Sequence, residues 1–275
     1  MTGAPDTPPP KASGRRRRPV SRVVLTIEAE SLGGEAIDTA VRLARAYGAE
    51  LIALFVKTSD MMNMVSLPFG ASLTSRSGVT RVIDRAALEQ RLDRLARQAE
   101  QLVARSASGV RWSFRTATGH TEQVAAREAL QGDLLAICSR TARRVSDTVG
   151  ALSCSLLLLG EGMGRDRPVI ALFEGDTAVL GVAREMAEAF GKELAVALPH
   201  GIDARARRRG RDWLARRGLS PRMLASTRPD GAALAAELAG LKPGLLVMER
   251  GGGAARQVQQ AYEAARRGVP LLLVS

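Results

Sequence analysis

The residues best placed to do chemistry lie in "GLLVMERGGGAARQ", Gly244 to Gln257, where an apolar run breaks into three glycines and then into a helix-forming sequence. A strand, a glycine-rich turn and a helix start make backbone N–H groups and the helix dipole converge, which suits an anion such as a nucleotide phosphate. Arg250, Gly251, Gly252 and Gly253 would form that cradle. The same outline also serves as a plain chain reversal, and the sequence favours the plain turn. His120 and His200 follow apparent strands, yet neither has a neighbouring nucleophile or ligand set. No Ser-His-Asp pattern, metal cluster or acid–base carboxylate pair is legible, so the expectation is a protein that is not an enzyme.

The elements that must position these residues follow from length and periodicity. A chain of 275 residues with 45% hydrophobic content can build large cores without staples. Cys138 and Cys154 are too far apart for a metal or redox pair motif, and a reducing compartment fits them. The N-terminus has arginines but no apolar region behind them, and no apolar stretch approaches the ~20 residues of a membrane span. A cytoplasmic protein is expected.

The net charge is +12, and its distribution matters more than its size. Residues 1 to 19 contribute +4 and Asp203 to Arg222 contributes +6, which leaves +2 for the rest. The segment 1–20, rich in Pro, Gly and Arg, reads as a disordered basic tail. For the Arg-rich segment a solvated helix competes with nucleic-acid binding. Trp213 is its one aromatic residue, so base stacking has little support and nucleic acid is not the favoured partner.

Structure should begin near Ser21. "RVVLTI" reads as a buried strand, a helix follows with Ile37, Ala40, Ala44 and Tyr47 on one face, and "ELIALFV" is a second strand. That succession demands a parallel pair with a right-handed crossover. The chain then repeats itself. "RPVIALF", a helix presenting Val179, Ala183, Met186 and Phe190, and "ELAVAL" follow the same plan, and "ARAYGAEL" aligns with "AEAFGKEL". The halves, 21–160 and 167–275, read as two copies of one α/β domain. Each copy should be a doubly wound, parallel, five-stranded sheet covered on both faces.

The last strands of the two copies, "SLLLL" and "PLLLV", are apolar edges that would aggregate unless paired. Ser155 to Leu159 and Pro270 to Val274 are therefore expected to cover each other, giving a pseudo-twofold and an intramolecular pseudo-dimer. Further homodimerisation is left open. Lys57 to Val82, carrying Met61, Met62, Met64, Leu67 and Phe69, is absent from the second half and reads as either local packing or a protein-partner surface. Leu88, Leu92, Leu95, Ala99 and Leu102 mark a helix packed on the first sheet.

From Ser21 to Ser275 this order of elements resembles the universal stress protein family in its tandem form. "AVRLARAYGAELIALFV" is similar to the family's first helix and second strand, "GDLLAI" to its fourth strand, and "ALSCSLLLL" to its closing segment. The resemblance implies a Rossmann-like (flavodoxin-like) sheet, pairing through the last strand, and either ATP binding or none. ATP-binding members carry Gly, two residues, Gly, nine residues, then Gly and Ser or Thr after the fourth strand. Here the first copy reads "CSRTARRVSDTVGALSCS" and the second "ERGGGAARQVQQAYEAARRGVP", and both depart from the pattern.

Glu174 and Asp176 stand where the family places an acidic residue near the nucleotide, and helix N-terminal capping is the competing reading. Arg140, Arg143 and Arg144 replace the glycines in the first copy and, with Ser139, read as either an anion site or a solvated helix face. The expectation is a binding or regulatory module of a stress response with degenerate nucleotide sites and no cofactor. ATP in the second crevice, and association with nucleic acid, are the alternatives.

Overall fold

The computed structural model describes residues 20–29, 34–58, 72–74, 80–82, 85–130, 132–138, 154–159, 166–227, 230–264 and 269–275. Residues 1–19 of the basic tail, most of the methionine-rich loop, Ser139, Arg140, Arg143 and Arg144, and the join at 160–165 lie outside those residues, whereas Val20 packs against the core.

In the first half the strands are β1 (Arg22–Glu28), β2 (Glu50–Thr58), β5 (Trp112–Gly119), β6 (Asp133–Cys138) and β7 (Ser155–Leu159). A two-stranded antiparallel hairpin, β3 (Ser72–Thr74) with β4 (Thr80–Val82), lies within the insertion. The helices are α1 (Gly34–Tyr47), α2 (Arg85–Ser106) and α3 (Thr121–Glu128). The second half supplies β8 (Val169–Leu172), β9 (Leu194–Leu198), β10 (Arg222–Ala225), β11 (Leu245–Glu249) and β12 (Leu271–Val274). Its helices are α4 (Thr177–Phe190), α5 (Ala204–Ala215), α6 (Gly231–Gly240) and α7 (Gly253–Ala264).

Ten strands form one sheet in the order β10-β9-β8-β11-β12-β7-β6-β1-β2-β5. Each half contributes a doubly wound parallel order, and the reversal of strand order falls between β1 and β6 and between β8 and β11. Such switch points open a crevice at the carboxyl ends of the strands. Within this sheet, among the described residues, the single antiparallel contact is β7 with β12, pairing Leu156, Leu157 and Leu158 with Leu273, Leu272 and Leu271. The expected pairing of these two strands is thus observed, and it carries the pseudo-twofold.

Why these strands meet is plain from their composition. Both are leucine runs, buried on both faces, and all six paired leucines are at most 7% exposed. Burial of such side chains contributes about 1.5–3 kcal/mol each. The core above and below the sheet crosses this seam: one apolar cluster joins Val23, Phe55 and Leu157 to Phe173, Met186 and Leu272. On the same face the Arg42 guanidinium lies 4.7 Å over the Phe190 ring, and Arg42 donates to the Ala189 carbonyl at 3.4 Å. Helix α1 of one half is thereby tied to the end of α4 in the other.

The apolar faces read from the sequence are buried at Ile37, Ala40 and Ala44 in α1 and at Val179, Ala183, Met186 and Phe190 in α4. In α2 the buried stripe is Leu88, Leu92, Ala96, Ala99 and Val103. Leu95 and Leu102 are only partly buried. A straight helix has 3.6 residues per turn, so the face on the sheet drifts one position off the alternating four-and-three spacing.

A candidate ligand crevice filled by its own carboxylate

The second crevice opens where β8, β9 and β11 end. After β8 come Phe173, Glu174 and Gly175, and Asp176 caps α4, accepting a hydrogen bond from the Ala178 amide at 2.8 Å. Asp203 caps α5 through the Ala206 amide at 3.2 Å. Asp230 caps α6 through the amides of Ala232 and Ala233 at 3.1 and 3.3 Å. Each of these carboxylates satisfies N–H groups that a helix start leaves without partners.

Helix α7 has no such residue of its own, because glycines stand where its cap would be. Glu174 supplies the missing acceptor from across the crevice. Its Oε1 accepts from the Ala254 amide at 2.8 Å and its Oε2 from the Ala255 amide at 3.0 Å. A carboxylate on two helix N-terminal amides also gains from the helix dipole. Gly252 makes the approach feasible, since a Cβ there would collide with Glu174 Oε2. Gly251 has φ +83°, a left-handed conformation that L side chains rarely adopt, so it turns the chain from β11 into α7.

The glycine turn is therefore an anion cradle in its geometry, and the anion lodged in it belongs to the protein. Arg250 points elsewhere. Its Nη2 donates to the Cys154 carbonyl of the first half at 2.5 Å, and its backbone amide donates to the Val274 carbonyl at 2.8 Å. Burial lowers the pKa of this guanidinium, and the same arginine pulls down the Cys154 thiol, which burial raises more strongly.

A cleft of about 390 Å³ remains beside the filled cradle, lined by Glu174, His200, Ile202, Asp203, Asp230 and Ala254, among others. Its charge is acidic. Glu249, at the end of β11, has its carboxyl pushed above the ordinary range, first by burial and then by Asp176 and Glu174. A triphosphate entering here would meet several carboxylates and two amides already bonded. Among the described residues no group of three or more His, Cys, Asp or Glu is arranged to hold a metal ion.

The first crevice has an equivalent acid. Val23 pairs with Leu51 as Val169 pairs with Leu194, which makes Glu28 the counterpart of Glu174. Glu28 accepts from the Thr121 hydroxyl at 2.6 Å, at the start of α3. The first half is further pinned by Arg22, which donates to buried Asp133 through Nε at 3.1 Å and Nη2 at 2.5 Å. In the second half Pro168 and Gly244 stand in that place, joined by a backbone hydrogen bond of 2.8 Å.

Of the two roles the sequence leaves open for the acids after β8, both take capping. Asp176 caps its own helix; Glu174 caps α7, which no local pattern indicates. His120 immediately precedes α3, and His200 lines the cleft.

No protein-family model and no curated protein matches the sequence. Solved structures do resemble the fold. A universal stress protein from Archaeoglobus fulgidus DSM 4304 superposes with a TM-score of 0.56 at 14% identity, covering 94% of this chain and 97% of that one. A putative universal stress protein from Pseudomonas aeruginosa UCBPP-PA14 gives 0.57 at 15% identity, with 94% of each chain covered. A functionally unknown protein from Pseudomonas aeruginosa PAO1 gives 0.58 at 15% identity, covering 94% of this chain and 93% of that one. The chain is similar over nearly its whole length to universal stress proteins in fold, an α/β architecture with a mostly parallel ten-stranded sheet.

Proposed function

We infer that this chain is a non-catalytic binding or regulatory module of the universal stress protein type, acting in a stress response in the cytoplasm, whose second nucleotide crevice is closed by its own side chain. One observation carries the reading: the Glu174 carboxylate sits on the Ala254 and Ala255 amides, where a phosphate would have to bind. The acidic surroundings of the cleft act in the same direction. Signalling would then pass through surfaces rather than through nucleotide occupancy, with Lys57 to Val82 as the protein-partner surface. Among the described residues no helix is long and apolar enough to cross a membrane.

The test is calorimetric titration of the purified protein with ATP and Mg²⁺ at moderate salt. This reading expects no saturable heat up to millimolar ATP. Saturable binding near one site per chain would replace it with the second reading, a nucleotide-binding regulator that uses the crevice between β8 and β11.

A further inference from the structure

Helix α5 carries a charge pattern that the fold does not require. From Ala204 to Arg217 seven arginines stand against one aspartate, Asp212. The counterpart crossover helix in the first half, α2, balances five arginines with three carboxylates over 22 residues. Part of that balance is the Arg85 to Glu89 pair at 3.0 Å. Among the described residues the one carboxylate that an α5 arginine approaches is Asp212, 4.0 Å from Arg208, while Asp203 is engaged as the N-cap. Among the described residues no carboxylate lies within ion-pair distance of Arg205, Arg209, Arg211 or Arg216, and all four are exposed. Gathering like charge on one helix raises its self-repulsion unless an anion is present.

The helix is also anchored to the core. Ala206, Gly210 and Leu214 form its buried stripe, and a Cβ at Gly210 would stand 2.6 Å from Phe173 Cε1. Arg217 stacks on the Trp213 ring at 3.9 Å. Beside the helix runs a groove of about 630 Å³ lined by Ile202, Ala204, Arg207, Arg208, Arg211 and Asp212. Arg207 Nε is buried there without a hydrogen-bond partner among the described residues.

We propose that α5 and its groove form a docking surface for the phosphate backbone of a double-stranded nucleic acid, read without regard to sequence. The choice among polyanions rests on what accompanies the arginines. Ala206, Gly210 and Leu214 of α5 face the protein core, the apolar residues it leaves exposed are the small Ala204 and Ala215, and the exposed large apolar side chains among the described residues, Leu130 and Met223, lie elsewhere. An interfacial membrane helix needs an outward apolar face. Single strands are held by aromatic stacking platforms, and Trp213 is covered by Arg217. What remains is a stiff rod about 18 Å long with guanidinium forks projecting from it, which suits regularly spaced phosphates.

The test is fluorescence anisotropy with a labelled duplex of mixed sequence, using the full chain, at salt from about 50 to 200 mM. The variant carries Arg205→Gln, Arg209→Gln, Arg211→Gln and Arg216→Gln, and the control carries Arg91→Gln, Arg94→Gln and Arg97→Gln on α2. Circular dichroism and thermal melting establish that both are folded. The expected result is binding whose slope of log K against log salt shrinks by about 3–4 in the α5 variant, with affinity down on the order of 100-fold, and little change in the control. An unchanged slope in the α5 variant would assign binding to the N-terminal tail and overturn the proposal. Equal losses in both variants, or binding to phosphatidylserine vesicles without binding to duplex, would overturn it too.

Discussion

The Glu174 carboxylate and the Ala254 amide nitrogen, 80 residues apart in the chain, lie 2.8 Å from each other across the switch point between β8 and β11. This contact closes the glycine-rich turn with an internal cap on α7. The relationship dictates what substitutions on either side should do.

Glu174→Ala removes the only side-chain cap that α7 has among the described residues, and its expected cost is about 1–2 kcal/mol of unfolding free energy. The same variant frees two helix N-terminal amides and deletes a negative charge from the cleft. Inorganic phosphate should therefore raise the melting temperature of Glu174→Ala more than that of the wild type. Equal shifts would show that the amides are not reclaimed by an external anion.

Gly252→Ala inserts a Cβ into the space of Glu174 Oε2. It should destabilise the wild type by about 1 kcal/mol or more, yet cost far less in a Glu174→Ala background. A double-mutant cycle by urea denaturation checks the coupling. Additive effects would mean that the two residues do not share this space.

Leu272→Ala, at the antiparallel seam opposite Leu157, should cost about 2–5 kcal/mol. Because one apolar cluster spans both halves, the loss should appear as a lower midpoint of a single cooperative transition. Calorimetry resolving two separate transitions in the wild type would contradict a shared core. Arg250→Ala should also weaken the seam, by about 1–3 kcal/mol, through the stranded carbonyl of Cys154.

Glu249 gives a pH prediction with a definite sign. Its carboxyl is raised in the folded protein, so the folded state binds the proton more tightly than the unfolded chain does. That contribution to stability is fully present below the unfolded value of about 4.3 and is lost as pH rises through the folded value. Glu249→Gln should therefore be more stable than the wild type near neutral pH, and the advantage should vanish near pH 4. Thermal melts of both proteins across that range read it directly.

Much of this was legible in the sequence because it depends on local pattern. The repeat of "ARAYGAEL" in "AEAFGKEL" and the paired leucine runs were enough to place ten strands and to pair β7 with β12. Asp176 is readable as a cap because it adjoins the helix it serves. Glu174 is not, since the helix it caps begins far along the chain and only the closure of the parallel sheet brings them together. The direction of Arg250 was hidden for the same reason, as its acceptor belongs to the other half. One signal was available: α7 begins with glycines and has no Ser, Thr, Asp or Asn to cap it, which implies an acceptor from elsewhere.

The most direct measurement is of the backbone amide resonances of Ala254 and Ala255 by NMR, in the wild type and in Glu174→Ala, with and without ATP and Mg²⁺. Strongly hydrogen-bonded amide protons are expected in the wild type, unresponsive to millimolar ATP and moved upfield in the variant. Wild-type amides that shift saturably with ATP, or that are indifferent to the loss of Glu174, would contradict it.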